Sequence, residues 1–469
     1  MNQDIEQAIA SPRANASRYA KPTRYYNGDH DLAFATEKFQ NTFGTLFREF
    51  ALNLCPVICD AVRDKLRVTG FSVDGAGLVS SPRVGSPRVN KGKFRNESTR
   101  DDVEITNTSV ALTDVQATDT EARRIWHRNR MGTRADEIHK EALKCGDAYM
   151  FVWPNAAGEA VLYPHPAIGV TVREDDDSLG RILWAAKTWA TADKHIRLNL
   201  YYPDRIEKYV SLTGSEGTLL DANDFAPLPG THNFGPAIIA NPYGVVPVFH
   251  FANNADLGRM GRSELEAAIP VQDGLNKSVL DMLVAMEYSA FRQRWVAGIE
   301  FDLDSDGKEI PPFKSGVDTL WMSSNKDATF GDFEAAELDQ FLKVKDSFRI
   351  DMASVTGTPL HYFLPSMGSF PSGESLKKAE TRFLSKVRDR QGSFGQVWAD
   401  VMAFALLVEG ARDAQLITEW EDPAPIEERE FLENILLKKQ IGLPVEQALI
   451  EAGYGEADVR RMVKALGVE

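Results

Sequence analysis

The sequence predicts an α+β fold dominated by long helices, and three observations carry that expectation. Apolar residues recur at Leu376, Phe383, Val387, Phe394, Trp398, Val401, Ala405 and Val408. This spacing traces one face of a helix over 374–409. At 1.5 Å per residue such a helix runs roughly 54 Å, longer than a small domain encloses, so it is expected to act as a beam in a large or multi-subunit body. Two further helical patterns lie at 261–292 and 335–355. Between residues 146 and 211, short β-type runs at 146–152, 160–163, 168–173, 181–190, 196–202 and 205–211 are separated by turn signals.

In chain order, residues 1–30 are polar and are expected to be partly mobile, closing on a turn at Tyr25-Tyr26-Asn27-Gly28. A helix is expected over 44–68, leading to Gly70-Phe71. Residues 75–96 hold Arg83, Arg88, Lys91, Lys93 and Arg95 with no acid, and the near repeat Ser81-Pro82-Arg83-Val84 and Ser86-Pro87-Arg88-Val89. The prolines make this an exposed loop. It would be a solvated loop or a contact for DNA or an acidic neighbour. A single helix is expected over 119–145, carrying Trp126 and Asn129, and then the buried strand from Gly146.

Ser263 and Glu266 have the spacing of a capping box that opens the 261–292 helix, and Pro270 is expected to kink it. Residues 299–333 are rich in turns. The 335–355 helix should end at Gly357, before an aromatic, irregular stretch of His361, Tyr362, Phe363, Pro365, Met367 and Phe370. Ser372 is a plausible N-cap for the long helix, which Gly392 and Gly395 should bend. Beyond Ile417 the composition turns acidic, and three short helices are expected at 426–440, 445–452 and 456–466.

The 53 Lys and Arg against 68 Asp and Glu give a net charge of −15. Tight nucleic-acid binding draws on phosphate neutralisation by a basic excess, which argues against a repressor or a packaging histone and does not exclude a conduit. No apolar run is long enough to span a bilayer, and Met1-Asn2-Gln3-Asp4 has neither the basic flank nor the apolar core of a signal peptide. Cys55 and Cys59 lack further Cys or His nearby to complete a zinc site and are expected to be buried small hydrophobes. A Walker-type phosphate loop, His-Glu-x-x-His and Gly-x-Ser-x-Gly are all absent from the sequence. Asp302, Asp304 and Asp306 begin like a calcium loop, but the position that needs a bidentate Glu falls on Phe313. Asp175-Asp176-Asp177 reads as a hairpin turn. No catalytic residue, cofactor or metal is expected.

Several of these segments resemble the portal proteins of tailed double-stranded DNA bacteriophages, siphophage type. The resemblance lies in Ser372-Gly373-Glu374-Ser375-Leu376-Lys377 with Glu380, Lys386, Arg390-Gln391 and Trp398, and in the Tyr-Tyr-x-Gly turn. It lies most specifically in Gly261-Arg262-Ser263-Glu264-Leu265, Gln272-Asp273, Asn276-Lys277 and the Arg292-Gln293-Arg294-Trp295 exit. It covers nearly the whole chain in order, with the basic loop as the main exception. The resemblance implies a portal fold with an α/β wing over 1–250, a stem helix over 251–297, a small clip over 298–334 and a returning stem helix over 335–358. A tunnel loop over 359–373, a long wing helix over 374–416 and a helical crown over 417–469 complete it.

The resemblance also implies a ring, commonly a dodecamer, at one capsid vertex of the virion, assembled in the host cytoplasm. Its partners would be the terminase large subunit, major capsid and scaffolding proteins, a head-tail adaptor, and double-stranded DNA passing without sequence specificity; no membrane is involved. The tunnel-loop residues named above would meet the DNA, and Ser263, Glu266, Asp273, Lys277, Arg292, Arg294 and Trp295 would shape the stem. Two other classes stay open: a metal-dependent DNA-processing enzyme using the aspartate clusters, and another ring or scaffold protein of the virus head.

Overall fold

The structure is a computed structural model. It describes residues 2–31, 52–73, 118–213 apart from 176 and 179, 221–290 apart from 231–234 and 257–259, 294–298, 302–303, 309–310, 326–332, 338–364, 373–424 apart from 412–414, 428–451, 459 and 463. The basic loop at 75–96 lies outside the described residues. The chain forms two units, Met1–Trp420 and Glu421–Glu469.

The first element corrects an expectation. Residues Asn2–Tyr26 form a 25-residue helix rather than a mobile arm. Its apolar residues are few, but Ile5, Ala8, Ile9, Tyr19 and Tyr25 are all buried. Tertiary contact, not helix propensity, holds it, because two prolines lie inside it. Gly28 then takes the positive φ (88°) foreseen for the turn.

The helix expected over 44–68 is described at Cys55–Arg63, with 44–51 outside the described residues. By Val68 the chain is already strand β1 (Val68–Val73). The helix expected over 119–145 is two: 118–128, then Met131–Cys145. The break falls at Arg130, whose φ is +55°. Asn129 explains it, because its buried amide donates to Ile125 O and Ala160 O and accepts from Leu162 N, each at 3.0 Å. The side chain clasps a strand, and the backbone turns there.

The strand region follows the expected boundaries closely. β2 (Asp147–Pro154) pairs antiparallel with β3 (Ala160–Pro166). β4 (Val170–Glu174), β5 (Ile182–Ala190), β6 (Ile196–Tyr201) and β7 (Arg205–Ser211) continue as an antiparallel meander. The meander gains β8 (Phe225–Pro227) and β9 (Ile238–Ala240), both paired to β7. One face of this six-stranded sheet buries Trp184, Ala186, Leu198, Leu200 and Tyr209 against Ile5, Ala8 and Ile9 of the N-terminal helix. β10 (Val248–Ala252) returns to pair with β2, completing a three-stranded sheet.

The segment expected as a first stem helix over 251–297 is shorter. Its helix spans Ile269–Ala290. Pro270 sits in the first turn instead of kinking the interior, where its missing N–H costs nothing. Arg294–Ala297 is strand β11, paired with β14 (Thr329–Asp332). Between them β12 (Asp302–Leu303) pairs with β13 (Glu309–Ile310). The returning helix is Leu338–Thr356, ended by Gly357 at φ +67°. The long helix is Gly373–Val408, 36 residues, as its periodicity required.

The acidic segment expected from 417 onward begins instead with strand β15 (Leu416–Trp420), which pairs antiparallel with β1. The boundary between the units therefore falls after Trp420. Gly395 has a different purpose from a bend: a Cβ there would lie 2.9 Å from Trp420 Nε1, and its carbonyl accepts from Thr418 Oγ1 at 2.7 Å. The small residue lets β15 lie against the helix. In the second unit, helices Glu428–Gln440 and Val445–Glu451 form as expected; the third expected helix falls mostly outside the described residues.

The main core of the first unit is aromatic. Trp398 of the long helix packs edge-on against Trp126 and Phe251, at 4.9 Å between ring centroids in each case. It also donates its indole N–H to His139 Nε2 at 2.9 Å. Cys55, Cys59 and Cys145 are buried here and nearby. Burial raises all three thiol pKa values, for Cys55 and Cys145 to about 12.

Candidate assembly and channel elements

The polar residues singled out on the 269–290 helix form a socket. Tyr25 donates its hydroxyl to Asp273 at 2.6 Å, and Asn276 contacts His30 Nδ1 at 2.8 Å. Gln272 accepts from Leu54 N at 3.0 Å and donates to Leu52 O at 2.6 Å. Burial raises the Asp273 carboxyl pKa and lowers that of His30. Sequence reasoning singled out the Tyr-Tyr-x-Gly turn and the Gln272-Asp273 and Asn276 positions separately; the fold makes them lock and key.

Ser263 and Glu266 do not form a capping box. Ser263 Oγ donates to Lys144 O and accepts from Leu265 N, while Glu266 is drawn to Arg262 at 3.4 Å. No helix starts there to be capped, because residues 264–268 are turns. Ser263 instead ties this segment to the end of the Met131–Cys145 helix. The tie depends on a backbone crossing, since a Cβ at Gly261 would lie 1.9 Å from Gly146 O. Buried Asp147 holds the crossing, accepting from Gly261 N at 2.8 Å, Tyr19 Oη at 3.0 Å and His250 Nε2 at 2.8 Å. Lys277 pairs with Asp281 one turn on. Arg292 lies outside the described residues. Arg294 sits on β11 opposite Asp332. Trp295, 42% exposed, lies across Gly331, where a Cβ would meet its ring at 2.6 Å.

Sequence reasoning did not bring together one buried electrostatic site among the described residues. Glu264, 9% exposed at its side chain, pairs with Lys386 at 2.6 Å and Arg390 at 3.0 Å, both from the long helix. Lys386 also donates to Thr356 O at 3.0 Å, at the C-terminal end of the 338–356 helix, where the helix dipole favours a cation. Burial by itself would raise the Glu264 pKa; Lys386 and Arg390 outweigh it and hold the carboxyl below its ordinary value. One lysine thus joins the segment before the 269–290 helix, the end of the 338–356 helix and the long helix. Glu264, Lys386 and Arg390 each stood out in the sequence within separate motifs, and their pairing did not.

Of the aromatic stretch, His361 and Tyr362 lie on a single 3₁₀ turn, Leu360–Tyr362, anchored to the long helix. His361 Nε2 is 3.4 Å from Glu380 Oε1, Tyr362 tilts over Phe383 at 5.8 Å between ring centroids, and Phe363 is 3% exposed in the core. Pro365, Met367 and Phe370 lie outside the described residues. Of the segment expected as a tunnel loop over 359–373, Leu360 to Phe363 thus pack on the long helix and in the core.

The two helices 269–290 and 338–356 pack on each other, with Gly274 against the ring of Phe348. They leave Met286, Leu342, Val344, Ile350 and Val355 between 43% and 51% exposed. Among the described residues no helix is long and apolar enough to cross a membrane.

A family model described as phage portal protein, SPP1 Gp6-like, matches residues 92–465. The portal protein of Mycobacterium phage L5 is 25% identical over 233 residues, 47% of this chain and 48% of its own length. That of Mycobacterium phage D29 is 24% identical over 233 residues, with the same coverage. The chain spans about half the length of these curated relatives. Among solved structures, a chain in the neck of a native GTA particle computed with C12 symmetry aligns with 12% identity over 69% of this chain and 80% of that one, at a TM-score of 0.41. The family match runs from the basic loop through the second unit, and by it this chain belongs to the SPP1 Gp6-like family of phage portal proteins.

Proposed function

We propose that the chain is one subunit of a ring, a dodecamer, that forms a DNA channel at one vertex of a phage capsid. The ring nucleates head assembly in the host cytoplasm, docks the terminase large subunit, passes the genome without reading its sequence, and receives the head-tail adaptor. The subunit carries out no covalent chemistry. In this reading the first unit supplies the wing, helices 269–290 and 338–356 the stem, the strand pairs between them the clip, and the second unit the crown.

The observation that supports the reading best is the apolar surface of the stem helices. Five large apolar residues, Met286, Leu342, Val344, Ile350 and Val355, stand on two helices that already pack together. A neighbouring copy packed on these helices would bury them. Residues 365–372 are the span left for a loop around the DNA. They contain no Lys or Arg, so their effect on the duplex would be steric. Electron microscopy of the purified chain tests the proposal. The expected result is closed rings with a central hole wide enough for duplex DNA. A species that stays monomeric at micromolar concentration with capsid partners present would refute it.

A further inference from the structure

The six-stranded sheet is electrically polar along its strands. On the face opposite the N-terminal helix, the cross-strand row Lys187, Asn199 and Lys208 lies beside the row Trp189, Arg197 and Val210. All six side chains are half-buried, and Lys187 Nζ stands 4.9 Å from the Trp189 ring centroid and 3.1 Å from His165 Nε2. Burial lowers the pKa of both lysines, helped at Lys208 by nearby Arg197, so this face gains from an arriving negative charge. Glu207 belongs to the opposite face, where Arg205 and Tyr209 bind it at 2.6 and 2.8 Å.

At the other end of β5 the β4–β5 turn carries Glu174-Asp175-Asp176-Asp177. Asp175 caps Asp177 N at 3.0 Å and is 3.7 Å from Arg181, and Asp177 is exposed. The aspartates serve no chemistry in the reading above. From Ile182 to Lys187 a strand covers about 17 Å. That is about two Debye lengths at physiological salt, so attraction between the two ends within one subunit is largely screened.

We propose that neighbouring copies of this chain meet head to tail through this sheet, the acidic β4–β5 turn of one seated on the Lys187–Arg197–Lys208 face of the next. A contact between two different patches of the same molecule repeats from copy to copy, and it closes into a ring when its rotation closes. The inference rests on the ring proposed above and assigns it a second interface, separate from the stem.

The test is sedimentation of the full-length chain at about 50 mM and about 500 mM salt. The variants are Arg197→Glu with Lys208→Glu, Asp175→Lys with Asp177→Lys, and all four substitutions together. Each pair alone should lower the ring fraction at low salt about tenfold, through a modest loss repeated at every interface. The fourfold variant should recover most of it. The neutral pair Arg197→Gln and Lys208→Gln, confirmed folded by its unchanged melting, should show a smaller loss of the same kind. Rings that form equally well in every variant would overturn this interface while leaving the ring itself in place. A loss that the fourfold variant does not recover would also overturn it. So would rings that persist in the basic-face variant but retain less duplex DNA on a filter, because the face would then serve phosphates. No rings from the unaltered chain at either salt would remove the function proposed above, and this interface with it.

Discussion

Replacing Glu264 by Gln isolates the charge that joins the segment before the 269–290 helix to the long helix. The side chain keeps its size and one acceptor for Asn253 Nδ2, now 3.1 Å away, and loses its charge. At an effective dielectric of about 20, the Lys386 contact is worth roughly 6 kcal/mol gross and the Arg390 contact roughly 5.5 kcal/mol. Desolvation of the three groups offsets most of that. What remains decisive is the state left behind. Lys386 and Arg390 are 15% and 6% exposed at their side chains, and without Glu264 they are two buried like charges.

Removing one partner of a buried pair costs about 3–5 kcal/mol. Gln retains some hydrogen bonding, and Arg390 keeps Asp389 as a partner, so a loss of about 2–4 kcal/mol is expected. Urea unfolding followed by tryptophan fluorescence measures it. The pH dependence follows from the lowered Glu264 pKa. Its contribution is complete above the ordinary carboxylate value, about 4.3, and disappears as pH falls through the lower folded value. A Glu264→Gln loss under about 0.5 kcal/mol, the scale of an exposed pair, would refute the reasoning. So would an unchanged pH profile below 4.3.

Burial holds the His139 imidazole pKa down to about 3; the unfolded chain takes up a proton that the folded one refuses, so stability should fall by about 1.4 kcal/mol per unit as pH drops below about 6.5, and His139→Gln should flatten that part of the curve in urea titrations. Gly274→Ala places a Cβ 2.7 Å from Phe348 Cε1, which should cost about 1–3 kcal/mol by overpacking and be relieved by adding Phe348→Leu, as unfolding midpoints will show. Deleting Ser366 to Ser369 should leave rings and empty heads intact and reduce the DNA retained, without rescue at low salt; nuclease-protected DNA per head measures this, and full-length DNA at normal yield would show that the loop has no such part.

The strands from Asp147 to Ser211 and the helix Gly373–Val408 were legible because hydrophobic periodicity is a local property, repeated within a few residues. The Gly357 stop and the Gly28 turn were legible for the same reason. The family was legible through short motifs placed in order. Other features depend on partners far away in the chain. β15 is five residues long and borders an acidic run; it is a strand only because β1, more than 340 residues earlier, offers it an edge. The N-terminal segment looked polar and partly mobile. It is helical because the sheet takes Ile5, Ala8 and Ile9, Asp147 takes Tyr19, and Asp273 takes Tyr25. Glu264 is one acid among many in the sequence, and only packing places it between Lys386 and Arg390. Sequence by itself determined the strands from Asp147 to Ser211 and the helix Gly373–Val408, since these follow from local spacing. Tertiary structure decided which polar residues are buried and paired, because desolvation and pairing depend on what the rest of the chain brings alongside.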